Sequence, residues 1–599
     1  MIAPSTDSKL IAAQYGRDLR AAGVNFAENI PLPFVPERTR WERWVALGVL
    51  ALSFLYLCLF RRFTTMEPDE GIVLQGAQRI LRGQVAYRDF FSFYTPGSFY
   101  LLAGLFRIFG NSLIVARTAL AFSGSISSVV TYLLARRVCA RSTALVTAAL
   151  VTLTALPFRF LVLHNWDSTL CACLALYFAV RLVESGAAAW AFGAGSFATL
   201  TFLFEQSKGV GLLIGLGAGL IAIYFVNGPH RSINDGSVNR VGGAALAAAG
   251  LGLTWPFVAT LAYFGAQHAL PAMLADWIWP LKHYSAANRV PYGYQDWSDD
   301  TRQLLFGSGS GVGRWVALLA VSPCFVIPAL PIVSIGLLLY WLAQAKSRFR
   351  TPAETRMKNG TKSSCPPQSP PDQGICAYYI LINATIAGLL LSVVSARADI
   401  IHFMYLAPVF FLVLAWLMDD RDIPGQVFRA IRPWLNAWVG VAFLALSLPL
   451  LLRGVAGSDS LPTRAGRVTI PASDTVIPYV QAHVQPGEPL LVYPYLPLYY
   501  YLTATSNPTR YDYLQSGMNT AEQSLEMISS LETQRVDAVL FEDSFPLKIA
   551  NAWPETPLSA IASDRVGDYI LQHYKACALL HSPQNWRFLF MVRRNLACP

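Results

Sequence analysis

The feature that most constrains the fold of this chain is a series of long apolar segments. A helix needs about 20 apolar residues to cross the hydrocarbon core of a bilayer. The chain has 599 residues, of which 54% are hydrophobic and only 14% charged, a balance typical of multi-pass membrane proteins. We therefore predict an α-helical polytopic membrane protein with about eleven transmembrane helices. The segments lie at 43–60, 113–135, 142–158, 168–183, 190–204, 209–226, 241–264, 315–344, 377–395, 402–418 and 433–452.

The Lys and Arg residues between these segments predict the orientation of the chain. Excess basic residues mark cytoplasmic loops. With eleven spans, four basic loops fall on the same side as the N-terminal head, 1–42, so that side is predicted to be cytoplasmic. The net charge of +10 follows from these loops, and we expect no nucleic-acid partner. The loops contain Arg136, Arg137 and Arg141; Arg231 and Arg240; the basic residues of 346–362; and Arg421, Arg429 and Arg432.

The predicted orientation divides the chain into three parts. The cytoplasmic head, 1–42, precedes a transmembrane domain, 43–453, and an external domain, 454–599. Loop 346–374 is rich in Pro, Ser and Lys and is predicted to be a disordered cytoplasmic linker. On the opposite side, the transmembrane domain carries two long external loops, at 61–112 and 265–314.

The C-terminal part has a different pattern from the rest of the chain. Short runs rich in β-branched and aromatic residues alternate with a helical pattern at 520–535, which predicts a small external α/β domain. Cys577 and Cys598 lie beside a predicted hairpin, and the sequence allows either a disulfide or two free thiols. The predicted strands are 490–493, 538–542, 576–580 and 588–592.

The first external loop opens with two adjacent carboxylates, Asp69 and Glu70. Pro68 suits the first position of a helix, and acids suit its positive end. Apolar residues then recur on one face of 68–81, which predicts an amphipathic helix lying flat on the membrane surface. Helix capping alone could explain the two acids. Their position at the water–lipid boundary favours a role with a lipid-bound substrate.

Further charged residues lie in external turns beside the apolar segments. Charges in such places are costly unless they are paired or used. Capping could explain Asp167, and a structural ion pair could explain Glu205 with Lys208; substrate or phosphate binding is the alternative for each. Three titratable groups in the turn 397–402 exceed what capping needs. All these groups lie on one side of the membrane, which favours chemistry at the external surface. The remaining candidates are Arg397, Asp399 and His402 in that turn, and Lys282 and His283 in an aromatic-rich loop.

Four motifs resemble the polytopic GT-C glycosyltransferases. The similarity is to the bacterial group that includes lipopolysaccharide galacturonosyltransferases, aminoarabinose transferases and protein mannosyltransferases, and it covers most of 43–420. It implies a sugar donor on polyprenyl phosphate and an envelope acceptor that is a lipid, glycan or protein. The motifs are PDEG at 68–71, GQVAYRDFFSFYTPGSFYLLAGLFRIFG at 83–110, EQSKG at 205–209 and RADIIH at 397–402.

The resemblance also implies roles for individual residues. The acid of the first external loop is the catalytic base in such enzymes, which corresponds here to Asp69, with Glu70 beside it; a second essential acid corresponds only loosely to Asp167. A lipid phosphate is a good leaving group, so a single inverting displacement needs one carboxylate base and cations for the phosphate. This scheme requires no cofactor, although the sequence leaves open whether a divalent ion binds near Asp69. The phosphate-binding candidates are Lys208, Arg397 and His402; the substrate-binding candidates are Asp167, Glu205, Lys282, His283 and Asp399.

Two other functions remain as alternatives. A transporter or flippase of lipid-linked sugars would also need many spans, but it would favour charges deep within them, which the sequence lacks. A non-catalytic scaffold would use the C-terminal domain to bind a partner. For the enzyme, we expect a location in the inner, or plasma, membrane in contact with its lipids, with the N-terminus cytoplasmic and the C-terminal domain external, or periplasmic.

Overall fold

The apolar segments predicted from the sequence are helical in the structure, a computed structural model. Nine helices in the described part of the chain are long and apolar enough to cross a membrane. The described residues are 40–227, 242–287, 290–295, 297, 299–307, 311–350, 373–419, 426–455, 459–513, 519–544, 554, 564–583 and 586–599. The nine helices are α1 (Arg40–Leu57), α4 (Leu113–Ala135), α5 (Arg141–Phe158), α6 (His164–Ser185), α8 (Gln206–Asn227), α9 (Gly243–Ala266), α12 (Val312–Arg350), α13 (Gln373–Ala396) and α16 (Gln426–Val455).

Two of the eleven predicted spans are shorter helices. The segment 190–204 corresponds to α7 (Ala188–Phe204), which packs against α6 and α9. The segment 402–418 is divided between α14 (Ile400–Tyr405) and α15 (Ala407–Asp419). Because nearly all of α15 is buried, protein rather than lipid surrounds it. The helical polytopic fold is confirmed, and the count of eleven spans rests on these two short helices.

Small residues allow two spans to approach each other closely. A Cβ atom on Gly388 of α13 would lie 2.2 Å from the carbonyl oxygen of Gly211, and one on Gly215 would lie 2.6 Å from that of Ala384. Backbone contact of this kind is a common basis of helix association in membranes. It fixes α8 against α13, two helices that also line the cavity described below.

The loops contain additional helices. Loop 61–112 holds α2 (Pro68–Leu81) and α3 (Gly97–Phe109), and loop 265–314 holds α10 (Leu270–Ala287) and α11 (Asp299–Phe306). The prediction of disorder throughout 346–374 is wrong at both ends, because α12 continues to Arg350 and α13 begins at Gln373; 351–372 lies outside the described residues. The N-terminal head lies outside them up to residue 39.

The predicted helix at 68–81 is present, but its polar face is covered by protein and does not meet water as a helix on a membrane surface would. Eleven of the fourteen residues of α2 are buried, including Gln75, Gln78 and Arg79 on its polar face. The reason is that the C-terminal region covers the face that the sequence pattern left for water: α2 packs against both α3 and the helix α18 (Leu498–Thr503). Polar residues on this face therefore meet protein partners, as Arg79 does at 2.8 Å from Asp512.

The C-terminal region contains two sheets. A hairpin of β1 (Asp459–Thr463) and β2 (Gly466–Ile470) is antiparallel, and a four-stranded sheet has the order β3-β4-β6-β5, in which only β3 and β4 are parallel. All four predicted strands are present, and the β1–β2 hairpin was not predicted. The other elements are β3 (Leu491–Tyr493), β4 (Ala538–Glu542), β5 (Tyr574–His581), β6 (Arg587–Arg593), α17 (Val476–His483), α19 (Ala521–Thr533) and α20 (Arg565–His573).

A disulfide joins the chain end to the sheet. Cys577 on β5 is bonded to Cys598, with 5.5 Å between the two Cα atoms. Of the two alternatives that the sequence left open, the structure therefore has the disulfide.

Candidate active site

A cavity of about 1760 Å³ lies between the transmembrane helices and the C-terminal region. Its volume exceeds the 300–1,000 Å³ or so of an ordinary small-molecule site. Charged residues from several distant segments line one part of the cavity, and apolar residues of the spans line another. The acidic residues, arginines and histidines of the lining are Glu67, Asp69, Arg159, His164, Glu205, Arg397, Asp399, His402 and Arg453, and the apolar lining residues include Val210, Ile214, Leu391, Val394, Leu446 and Leu450.

Asp69 presents its carboxylate to this cavity at the start of α2. Its side chain is 37% exposed, and each oxygen accepts one hydrogen bond. Arg159 Nη2 donates to Oδ2 over 2.6 Å, and the hydroxyl of Tyr495 donates to Oδ1, also over 2.6 Å. Two donors from distant parts of the chain therefore orient the carboxylate, while part of it stays open to the cavity.

Arg159 is a site residue that the sequence analysis missed. It follows the last residue of α5, and its Nη2 also lies 3.5 Å from a carboxylate oxygen of Glu67. Its Nε atom is buried and has no hydrogen-bond partner among the described residues. The signal that could have identified Arg159 is a cation directly after a predicted span, on the side that carries Asp69.

Glu70 faces away from the cavity, so its prediction as a catalytic residue is corrected. Its side chain is fully buried and forms a two-point ion pair with Arg117 of α4, with Nε at 2.9 Å from Oε1. The backbone N–H of Val162 also donates to Oε1, over 3.0 Å. Successive helical residues project about 100° apart, which places Asp69 in the cavity and Glu70 in the protein interior.

The turn 397–402 brings its three titratable residues to the cavity wall. Asp399 caps α14: its Oδ1 accepts the His402 backbone N–H over 3.0 Å and lies 2.6 Å from His402 Nδ1. Its other oxygen accepts a hydrogen bond from Arg397 Nε. Burial alone would raise the pKa of Asp399, but His402 and Arg397 hold it well below its usual range. Arg397 and His402 thus share a cavity with Asp69 and are oriented by a carboxylate.

Lys208 is close to this cavity but does not line it. Its ammonium group is 2.8 Å from Glu205 and donates to the carbonyl oxygen of Asn165 and to the hydroxyls of Ser168 and Thr169. Only 2% of the residue is exposed. Because these partners use its three N–H donors, we correct its prediction as a phosphate ligand to a structural role. Glu205 itself does line the cavity, as part of the same network.

Three other predicted residues lie outside the cavity lining. Asp167 accepts a hydrogen bond from Ser98 over 2.6 Å, Lys282 is exposed, and the ring of His283 packs 4.9 Å from that of Trp279. The cavity therefore gives no support to their prediction as substrate-binding residues, which stays a prediction. Within the described ranges, no group of three His, Cys, Asp or Glu side chains is arranged to hold a metal ion.

The fold and the cavity define a multi-pass membrane protein with a charged site that is partly lined by apolar spans. Residues 94–274 match the family model of dolichyl-phosphate-mannose-protein mannosyltransferases. This match confirms, for that part of the chain, the predicted resemblance to GT-C membrane glycosyltransferases. No curated protein matches the sequence.

Solved structures that are similar to this chain include these two. One is ArnT from Cupriavidus metallidurans bound to undecaprenyl phosphate, with 14% identity, a TM-score of 0.46 and coverage of 94% of this chain and 100% of that one. The other is the archaeal oligosaccharyltransferase AglB from Archaeoglobus fulgidus in complex with an inhibitory peptide and a dolichol-phosphate. For that structure the identity is 13%, the TM-score 0.43 and the coverage 93% of this chain and 75% of that one.

Proposed function

We propose that this protein transfers a sugar from a polyprenyl-phosphate donor to a cell-envelope acceptor, with Asp69 as the catalytic base. One observation carries the proposal: a partly exposed carboxylate, Asp69, lines the same cavity as the guanidinium groups of Arg159 and Arg397 and the imidazole of His402. A base and a set of cations within one cavity are what displacement of a phosphate leaving group requires.

The proposed reaction is a single displacement at the anomeric carbon of the sugar. An acceptor hydroxyl gives its proton to Asp69 while its oxygen forms the new bond to that carbon. The bond from the carbon to the phosphate oxygen breaks, and the electron pair leaves with the lipid phosphate, so the configuration inverts. The leaving group is already an anion of low basicity, and no second carboxylate is needed to protonate it.

The cations stabilise the negative charge that develops on the phosphate. Arg397 and His402 are the candidates that the sequence predicted, and Arg159 joins them because its guanidinium group lines the same cavity beside Asp69. Arg453 also lines the cavity, near the end of α16, and is exposed. Preorganised donors of this kind supply much of the rate enhancement in transfer reactions.

The apolar part of the cavity supports a lipid-linked donor. Side chains of α8, α13 and α16 line it, and all three helices are long enough to cross the membrane. A water-soluble sugar nucleotide would gain nothing from such a wall, whereas a polyprenyl chain would bury apolar surface against it. The scheme requires no cofactor. The alternative is that a divalent ion binds near Asp69, and it is tested by measuring transfer after chelation with EDTA and after re-addition of Mn²⁺.

We also propose that the cavity and the C-terminal region face the outside of the plasma membrane, as the basic loops predict. The disulfide in the C-terminal region supports this orientation, since disulfides persist in oxidising compartments. A reporter that is active only outside the cytoplasm should be active when fused after residue 599 and silent when inserted at 351–372. The reverse pattern would place the cavity on the cytoplasmic side and contradict the proposal.

Mass spectrometry of envelope glycans tests the proposed transfer. Cells without the protein and cells with Asp69→Asn should both lack one sugar on an envelope component and accumulate the corresponding lipid-linked sugar. Asp568→Asn is the matched control, because Asp568 is an exposed carboxylate of α20 outside the cavity. If cells with Asp69→Asn have the same glycans as wild-type cells while the null cells do not, the base assignment is wrong and a transport function gains support.

A further inference from the structure

The C-terminal region contributes a side chain to the candidate site. Tyr495 lies 426 positions after Asp69, and its hydroxyl donates a 2.6 Å hydrogen bond to Asp69 Oδ1. Only 8% of Tyr495 is exposed, and the residue lines the cavity. The partly exposed carboxylate thus has one partner from the transmembrane part, Arg159, and one from the C-terminal region.

A close backbone contact fixes Tyr495 beside the start of α2. A Cβ atom on Gly71 would lie 2.0 Å from the backbone nitrogen of Leu498 and 2.7 Å from the carbonyl carbon of Pro497. Such distances exclude any side chain at position 71 unless one backbone moves. Gly71 is two positions from Asp69 and Pro497 is two from Tyr495, so this contact sets the distance between the carboxylate and the hydroxyl.

A second contact fixes the other end of α2 to the same C-terminal segment. Arg79 pairs with Asp512 at 2.8 Å, and both side chains are about 95% buried. Arg79 Nη2 also donates to the carbonyl oxygen of Thr509 over 3.1 Å, and Asn507 donates to Asp512 over 3.1 Å. The segment 495–512 is therefore anchored at both ends of α2, and its Tyr495 lines the cavity.

We propose that Tyr495 is a positioning residue for the Asp69 carboxylate, so that the C-terminal region completes the active site. This inference rests on the proposed function, in which Asp69 is the base. Donation from Tyr495 stabilises the ionised carboxylate and restricts its rotation. With Arg159 on Oδ2 and Tyr495 on Oδ1, a defined part of the carboxylate faces the acceptor.

The hydroxyl of Tyr495 can be separated experimentally from its ring. The ring packs edge-on against Tyr513 with 5.3 Å between centroids, and a phenylalanine would keep this contact. Tyr511→Phe is the matched control. The hydroxyl of Tyr511, like that of Tyr495, donates to a carboxylate, in this case that of Glu526, and neither Tyr511 nor Glu526 lines the cavity. A purely structural role for Tyr495 predicts the same outcome for both variants.

The test measures initial rates of sugar transfer against pH for the full-length protein. Membranes from cells that lack the protein supply the donor and the acceptor. Tyr495→Phe should lower the rate about 10-fold or more and move the acid limb of the pH–rate profile to higher pH, since a donor to the ionised base is lost. Tyr511→Phe should change neither. A wild-type rate and profile for Tyr495→Phe would overturn the proposal.

A second variant tests the backbone contact, and Asp69→Asn separates this inference from the proposed function. Gly71→Ala keeps the hydroxyl but displaces it, and it should also slow transfer; Gly104→Ala, where a Cβ meets nothing within 4 Å, is its control. If Asp69→Asn transfers sugar normally, the proposed function fails. If Asp69→Asn is inactive while Tyr495→Phe and Gly71→Ala are both fully active, only the role of Tyr495 fails.

Discussion

Two neighbouring carboxylates at the start of α2 lie in opposite surroundings. The cavity side holds Asp69, which is 37% exposed at its side chain and accepts hydrogen bonds from Arg159 and Tyr495. The core side holds Glu70, which is fully buried and paired with Arg117. The backbone is the same regular helix at both positions, so the difference comes only from the direction in which each side chain points.

This comparison separates a residue that can act on a substrate from one that stabilises the fold. A buried ion pair is costly to break, because loss of one partner leaves an uncompensated charge in the interior. A partly exposed carboxylate can exchange a proton with a bound substrate. Replacing Asp69 by a neutral residue should therefore lower the rate of transfer, whereas replacing Glu70 by a neutral residue should lower the stability of the fold.

The largest expected effect is that of Asp69→Asn on the rate of transfer. Asparagine has a similar shape but cannot accept the acceptor's proton, so the rate should fall by about 10²–10⁴-fold. The thermal unfolding temperature of the purified variant should stay close to that of the wild type. Turnover near the wild-type level in a folded sample would remove Asp69 from the mechanism.

Glu70→Gln should show the opposite result. Because Arg117 loses its charged partner in a fully buried place, the free energy of unfolding should fall by about 3–5 kcal/mol. The rate per folded molecule should change little. The measurements are thermal unfolding in detergent and transfer normalised to folded protein. A stable variant with a strongly reduced rate would show that Glu70 takes part in the chemistry.

Arg397 and Lys208 were both predicted from the sequence to bind the donor phosphate, but only Arg397 is expected to affect the rate, and by less than Asp69. Arg397 lines the cavity, so Arg397→Ala should cost on the order of 2–4 kcal/mol in the transition state, or about 30- to 1,000-fold in rate.

Lys208→Met should instead lower the unfolding temperature, since Glu205 loses its partner, and leave the rate per folded molecule within a few-fold of the wild type. Equal losses of rate in both variants would contradict a structural role for Lys208.

The smallest expected effect concerns the pH dependence of stability. Asp276 of α10 is buried near Arg510 and Glu526, and burial raises its pKa to about 7. In the unfolded chain its pKa is about 3.9, so the folded protein binds the proton more tightly and this contribution to stability is lost as pH rises from about 4 to 7. The stability of Asp276→Asn minus that of the wild type should therefore be larger at pH 8 than at pH 5. If the unfolding temperatures of the variant and the wild type differ by the same amount at every pH in this range, the raised pKa of Asp276 is contradicted.

The apolar pattern was sufficient to predict most of the fold. Each of the eleven segments is helical, and the strands at 490–493 and 588–592 are present, because periodicity and length report local structure directly. The pattern also placed Arg397 and His402 on the side that carries Asp69, since loops alternate between the two membrane faces. The alternation alone does not predict a common cavity, because it placed Lys208 on the same side and Lys208 does not line the cavity.

Contacts between distant segments could not be predicted in the same way. Arg159 and Tyr495 reach Asp69 from 90 and 426 positions away. The amphipathic pattern of α2 showed which face is polar, but not that protein rather than water covers it. For Lys208, the sequence could not distinguish an internal partner from a phosphate, because both satisfy the same charge.

Chemical rescue of Asp69→Ala by formate distinguishes a proton-accepting role of Asp69 from a structural one. The truncated side chain leaves room in the cavity for a small carboxylate, which can accept the proton that Asp69 would have accepted. If Asp69 is the base, transfer by Asp69→Ala is nearly absent and rises with formate concentration until it saturates, whereas the wild type does not respond. A rate that stays at zero across the formate series in a folded variant, or an Asp69→Ala variant that is active without formate, would contradict the role of Asp69 as the base.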